Sequence, residues 1–321
     1  MANNQAQFEG FLGNIELIGD DLSSLRTSRN ANRDRITKYW KETLKRAVPE
    51  FEEQGSFEMG TVVRPTEGDY DLDDGMYLKC IGDDPTEWES TATIQGWVCD
   101  AVSGATHGDP QKRKRCVRVP YKGGYHIDIP AYGVDSFGTI RVYEKGVEPN
   151  QFVESNPAAL VNWFGERKKS HDDLRDLVRF FKAWRDYKMG SLMKVKSVTM
   201  TILISERIVS GDRYDQAVVD TARACDTHIR YGGSVSKPVA PFEDLTLGWT
   251  NAERIAIADA FKTLADRGQD AIDADSVRDG ALIWEKQFGP RFPVPDEDKD
   301  GSVTGALITR EPPVVASGNF A

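Results

Sequence analysis

The sequence predicts an α+β fold in two lobes, a first half built around a sheet and a second half that is helical. Three observations carry this. Between residues 71 and 144, short apolar stretches are separated by Gly and Pro, the punctuation of strands and turns. From Ser155-Asn156-Pro157 onward, apolar residues recur three and four apart, the period of a helix face. And 321 residues suffice for two tightly joined lobes with a large core.

Taken in order, residues 8–47 predict mostly helix, with Phe8, Phe11, Leu12, Ile15 and Leu17 apolar, then Ile36, Tyr39, Trp40 and Leu44. Residues 50–54 read as a link. Residues 71–80 predict a strand, and 85–103 an amphipathic helix carrying Trp88, Ile94, Trp97 and Val98. Residues 117–120, 124–131 and 139–144 predict further strands. A boundary is expected near residues 145–155, which divides the chain into a sheet-centred unit with N-terminal helices (1–150), a helical lobe (151–295) and a flexible tail (296–321). Asn156 or Ser155 suits a helix cap, and Pro157 suits a first turn. Leu174, Leu177, Val178, Phe181 and Trp184 form one apolar face, and 197–208, 214–229, 251–266 and 275–288 predict further helices. There is no internal repeat.

Composition narrows the function. A net charge of −10 and a pI near 5.1 argue against general coating of nucleic acid, which needs a basic face, so nucleic acid is not an expected ligand. One local basic cluster stands out, Lys112-Arg113-Lys114-Arg115 with Arg118 and Lys122, and reads first as a solvated loop or strand edge. No apolar run approaches the ~20 residues that a membrane helix needs. No secretory signal opens the chain, and the cysteines Cys80, Cys99, Cys116 and Cys225 form no CxxC, so a reduced, cytoplasmic setting is expected. The four histidines His107, His126, His171 and His228 show no metal-ligand spacing, and His107 and Cys116 lack a second pair for zinc. Asp296-Glu297-Asp298-Lys299-Asp300-Gly301 imitates the opening of a calcium loop, but the twelfth position is Leu307 and Pro293 and Pro295 precede the run, so calcium is rejected.

The chemistry lies in Gly55-Ser56-Phe57-Glu58-Met59-Gly60-Thr61 followed by Asp69-Tyr70-Asp71-Leu72-Asp73-Asp74-Gly75. Gly55 permits close backbone approach to a phosphate, and the Ser56 hydroxyl donates to one. Residues two apart on a strand face the same way, so Asp71 and Asp73 present paired oxygen ligands for Mg²⁺ or Mn²⁺. Phosphoryl transfer with two metal ions wants a third carboxylate. Asp128 is the candidate, flanked by Ile127 and Ile129 in a strand-like run, and it could also take the proton of the attacking hydroxyl. A bare DxD is weak evidence, because Asp-rich loops are commonly turns. The ordered set of Gly-Ser, Asp-Leu-Asp and a lone Asp in an apolar strand is far more specific. The register Asp69/Asp71 stays open beside the preferred Asp71/Asp73. The combination points to a nucleotidyltransferase.

With these residues in view, the chain resembles the cGAS/DncV-like nucleotidyltransferases (CD-NTases) of bacterial CBASS antiphage systems, nearest their DncV-like branch. Gly55-Ser56, Asp71-Leu72-Asp73-Asp74-Gly75 and His126-Ile127-Asp128-Ile129-Pro130 stand where that family has its Gly-Ser turn and three metal carboxylates. The stretches Phe181-Lys182-Ala183-Trp184-Arg185-Asp186 and Trp284-Glu285-Lys286-Gln287-Phe288-Gly289 extend the likeness over nearly the whole chain. The resemblance implies a polymerase-β-like core joined to a helical lobe, with the active site in the cleft. It implies that Lys182 and Ser197 hold the donor triphosphate; taken alone, Lys182 would be an ordinary surface lysine. It places Asp244 near the donor base, although an Asp before Leu-Thr is also a routine turn. It implies a cyclic di- or trinucleotide second messenger, purine-containing such as cGAMP, made from ATP and GTP with two Mg²⁺ or Mn²⁺ ions and read by a nucleotide-gated effector. The alternatives are a linear-product nucleotidyltransferase or an inactive nucleotide sensor. Finally, the small, uncharged end Val315-Ala316-Ser317-Gly318-Asn319-Phe320-Ala321 resembles family members joined to targets through a C-terminal Gly or Ala, which makes the Ala321 carboxylate a conjugation point for an E1/E2-like partner.

Overall fold

The structure, a computed structural model, describes residues 1–17, 19–66, 69–79, 81–104, 108–146 and 152–296. Cys80, His107, the calcium-loop imitation beyond Asp296 and the Ala321 terminus therefore lie outside the described residues.

Helix α1 (Gln5–Ile15) is followed by α2 (Asp20–Lys38), which widens into a π-helical turn over Tyr39–Leu44. Strand β1 (Glu50–Gln54) comes next, where the sequence reads as a link. Its residues alternate, but only Phe51 is apolar, so the hydrophobic pattern of a strand is missing. Main-chain pairing with β2 makes it one: Glu50 to Gln54 run antiparallel to Tyr77 to Asp73. A single helical turn, α3 (Gly55–Glu58), leads toward β2 (Tyr70–Leu78). Then follow α4 (Thr91–Val102), β3 (Gln111–Lys112), β4 (Cys116–Tyr121), β5 (Tyr125–Val134), β6 (Ile140–Tyr143) and β7 (Phe152–Glu154).

The strands form one sheet of order β1-β2-β5-β4-β3, with β6 and β7 continuing beside the far end of β5. Among the described strands only β2 and β5 pair in parallel, and their register sets Asp71 against His126 and Asp73 against Asp128. Strand β5 is buried from Tyr125 to Gly133, as expected of a central strand covered on both faces. Pro130 sits inside it although proline cannot donate to a ladder. It falls where β4 ends its pairing, at Cys116, and before β6 takes over the same edge at Tyr132.

The second half is helical: α5 (Pro157–Ser170), α6 (Leu174–Lys188), α7 (Ser197–Arg207), α8 (Tyr214–Arg230), α9 (Asn251–Asp273) and α10 (Val277–Phe288). The Asn156 side chain accepts from the Ala159 N–H at 3.0 Å, and Pro157 occupies the first turn. Thr250 and Glu253 close a reciprocal capping box at the start of α9.

Two main cores result. One lies between the sheet, α2 and α4, with Leu25, Ile36, Trp40, Leu72, Ile94, Val98, Ile127 and Ile129. The other fills the helical half with Phe164, Leu177, Phe180, Phe181, Trp184, Phe261 and Trp284. Helix α1 belongs to this second core: Phe8 meets Phe180, Trp284, Phe288 and Phe292 edge-on at 5.0–5.6 Å. The Ala2 N–H also donates to the Ile272 carbonyl, and that of Asn4 to Asp215. Periodicity shows that α1 has an apolar face, not which half of the chain covers it.

Candidate active site

The site is assembled on one sheet face. Asp71 and Asp73 on β2 and His126 and Asp128 on β5 alternate along adjacent, in-register strands, so all four project to the same side. Ligand atoms of Asp71, His126 and Asp128 lie within 4.8 Å of one another, a group able to hold a metal ion. Asp71 is exposed, and the other two are buried. Asp73 lies beside this trio rather than in it. Its carboxyl is held well above the usual carboxylate range by desolvation first and then by the charges of Asp71 and Asp128, with Arg118 opposing. Three acids whose charges repel one another at a half-buried site form a donor set that fits a divalent cation.

Gly55 explains how Asp73 is accommodated. Its φ is +67°, a left-handed conformation, and a Cβ there would stand 2.5 Å from Asp73 Oδ2. The Gly-Ser turn thus makes room for a carboxylate. Asp69 precedes the first paired residue of β2, so it belongs to the entering loop.

A cavity of about 440 Å³ adjoins these acids. Ser56, Asp69 and Asp71 line it from the first half, and Lys182, Arg185 and Ser197 from the second. Tyr187, Met189 and Met193 add a less polar wall. Lys182 is 2% exposed, not a surface residue, and its Nζ donates at 3.1 Å to both the carbonyl and hydroxyl oxygens of Thr61. Burial, followed by Arg185, pushes its ammonium down to about 7, with Asp71 opposing. Ser197 opens α7, and its Oγ accepts from Arg185 at 3.1 Å. Asp244 does not line the cavity; its carboxylate accepts from the N–H and hydroxyl of Thr246 at 2.7 and 2.6 Å, closing a local turn.

Sequence reasoning missed two groups. Arg118 reads as part of a basic cluster, yet it crosses from β4 to Asp128 as a fork, donating to Oδ1 at 2.9 Å and Oδ2 at 2.8 Å. Lys114 and Arg115 likewise pair with buried Glu144, so the cluster is not one basic face. Burial alone would raise the Glu144 carboxyl, but hydrogen bonds from these two cations hold it below its usual value. His126 shows no metal-ligand spacing in the sequence, yet the fold sets it with Asp71 and Asp128. Its two-residue spacing from Asp128 was the available signal, since it puts the ring on the face of the acids. Burial holds the imidazole toward its neutral form, against the pull of Asp128.

Comparison with known proteins bears on this geometry. The family profile described as "Cyclic GMP-AMP synthase DncV-like, nucleotidyltransferase domain" matches residues 49–132, the stretch from β1 through most of β5. Over these residues the chain is similar to that nucleotidyltransferase domain. Its match ends within the strand that carries His126 and Asp128, and the cavity residues of the helical half lie beyond it. A curated cyclic GMP-AMP synthase of Escherichia coli is 25% identical over 222 residues, 50% of this chain and 48% of that protein. The chain therefore spans about half the length of that curated relative. The fold extends the DncV likeness further. A mutant of the Vibrio cholerae di-nucleotide cyclase DncV superposes with a TM-score of 0.76 at 16% identity, covering 91% of this chain and 97% of that one. DncV in complex with the linear intermediate 5′ pppA(3′,5′)pG gives 0.74 at 18%, with 91% and 98% covered. E. coli CdnC in its complex with HORMA-deltaN gives 0.72 at 16%, with 90% and 98% covered. The α+β architecture with its helical half is thus that of the DncV structures.

Proposed function

We propose that this protein is a nucleotidyltransferase that joins ATP and GTP into a cyclic dinucleotide. The observation that carries the reading is the cavity itself: it brings Ser56 and Asp71 from the nucleotidyltransferase domain to Lys182 and Ser197 from the helical half. Oxygen ligands and phosphate-binding donors lining one cavity suit a nucleoside triphosphate with its metal. The related cyclic GMP-AMP synthase and the intermediate bound by DncV support a cyclic product through a linear one.

In this reading Asp71, Asp73 and Asp128 hold two Mg²⁺ or Mn²⁺ ions, which would supply charge neutralisation at the reacting phosphate. Ser56 and the backbone of the Gly55 turn hold the triphosphate from one side. Lys182 and Ser197 hold it from the other, Lys182 kept in place by Thr61 and Ser197 by Arg185. Each transfer forms a bond from a ribose hydroxyl oxygen to an α-phosphorus, breaks that phosphorus's bond to the bridging oxygen, and releases pyrophosphate and the hydroxyl proton. Arg118 holds both Asp128 oxygens, so Asp128 serves better as a fixed anion than as the proton acceptor. We further propose the finer readings that the resemblance implies: an antiphage signal sensed by a nucleotide-gated effector, and Ala321 as a conjugation point for an E1/E2-like partner.

The test is product analysis. Purified protein with mixed labelled ATP and GTP and Mg²⁺ or Mn²⁺ should yield a phosphatase-resistant cyclic product. Asp71→Asn with Asp73→Asn, and separately Asp128→Asn, should abolish it in folded protein, while Asp69→Asn retains substantial activity. A phosphatase-sensitive linear product would assign a different transferase, and no product from folded wild type would favour a nucleotide sensor.

A further inference from the structure

The metal reading leaves one donor unused. His126 lies two residues before Asp128 and in parallel register with Asp71, so its ring stands among the acids. A ring nitrogen comes within 4.8 Å of the carboxylate oxygens of both. The residue is only 8% exposed, and its Nε2 is buried without a hydrogen-bond partner. A buried ring nitrogen is normally satisfied, and an imidazole with one left open, standing beside two carboxylates, is placed as a ligand would be. We propose that His126 is a nitrogen ligand of the divalent ion held at this site, and that it biases the centre toward Mn²⁺ over Mg²⁺.

The inference rests on the metal-dependent reading of the cleft and adds a donor of a different chemical kind. Carboxylates alone hold Mg²⁺ and Mn²⁺ by similar hard-oxygen contacts. Imidazole is a softer base that favours transition metals, whereas Mg²⁺ keeps oxygen and water ligands. Asp128 can serve the same ion despite its Arg118 fork, because each carboxylate oxygen carries two lone pairs. The bland alternative is a core histidine that only packs against the acids.

The full-length protein loaded with Mn²⁺ alone separates these by pulsed electron paramagnetic resonance. The bound ion should show nitrogen hyperfine modulation that shifts when isotopically labelled histidine is incorporated. His126→Gln should remove the modulation and weaken Mn²⁺ by at least about tenfold, the lower range for disturbing even a supporting group of a metal site. Mg²⁺ affinity should fall less. Bound Mn²⁺ without nitrogen modulation in the wild type overturns the histidine ligand and leaves the metal reading standing. Modulation that ignores the histidine label, or that survives in a folded His126→Gln, also overturns it. If Mn²⁺ does not bind at all, both readings fall. The isotope arm needs no variant, so the outcome holds even if His126→Gln does not fold.

Discussion

At Gly55, a hydrogen in place of a methyl group decides where Asp73 can sit. A Cβ there would stand 2.5 Å from Asp73 Oδ2, on a backbone with φ +67°. The left-handed conformation alone costs a side-chain-bearing residue about 1–2 kcal/mol. Gly55→Ala should therefore lower urea stability by about that much. By shifting a carboxylate it should also cut the proposed synthesis by about a hundredfold, the scale of a small misplacement in an active site. Normal synthesis in a destabilised Gly55→Ala would show that the position of Asp73 is not critical. Lys182 carries a pH prediction. Its ammonium is pushed from 10.5 down to about 7 in the folded protein. The unfolded chain thus binds one more proton than the folded one between those values, and stability should rise with pH across that window and gain nothing from this group below it. If Lys182 holds a triphosphate as proposed, the bound anion would pull the ammonium back up. Nucleotide binding should then take up a proton above pH 7 and weaken as pH rises, measurable as a buffer-dependent calorimetric enthalpy. A Lys182→Met protein with the same proton uptake would remove Lys182 from the triphosphate site.

Among the elements, α2 and β2 show why polar residues mislead a sequence reading. Helix α2 is nearly all polar, yet Leu25, Arg29, Asn32 and Ile36 recur at helical spacing and all are buried. Arg33, on the same helix, forks onto Asp74 with Nε 2.9 Å from Oδ2, and Arg29 pairs with Glu53 on β1. Asp74 is 1% exposed, and burial raises its carboxyl despite the hydrogen bonds from Arg33. Removing one partner of a buried pair leaves a charge stranded, at a cost of about 3 kcal/mol. Arg33→Ala should lose about that in urea unfolding, and Asp74→Asn in the same background should recover part of it. A loss under about 1 kcal/mol, the value of an ordinary surface pair, would show that the pair does not dock α2 on the sheet. Asp74 is thus an anchor for α2, whereas its neighbour Asp73 faces the site. The alternation of β2 was legible in the sequence, and it separates the two roles.

Across the whole molecule, the first fifteen residues belong to the far half of the chain. Phe8 touches four aromatic residues drawn from α6, α10 and the segment after α10. Phe8→Ala should cost about 3–5 kcal/mol, the range for emptying a buried aromatic site. It should destabilise the helical half more than the sheet, which hydrogen exchange followed element by element would resolve. Protection lost equally across β2 and β5 would mean that the two halves unfold as one unit.

The sequence by itself determined the kinds of element, the change from sheet to helices and the order of Gly55, Ser56, Asp71, Asp73 and Asp128, because period, turn residues and strand alternation are local properties of the chain. In the sequence β1 reads only as a link, since one apolar residue in five carries no pattern. Taken alone, Lys182 reads as a surface lysine, because its helix face is unremarkable until Thr61 and the first half of the chain cover it. Only the tertiary structure decided that α1 joins the helical core, that Arg118 belongs to Asp128, and that His126 stands beside Asp71. These depend on register between strands and on contacts across more than a hundred residues in the cases of α1 and Lys182, where the chain's local chemistry is the same whichever partner arrives.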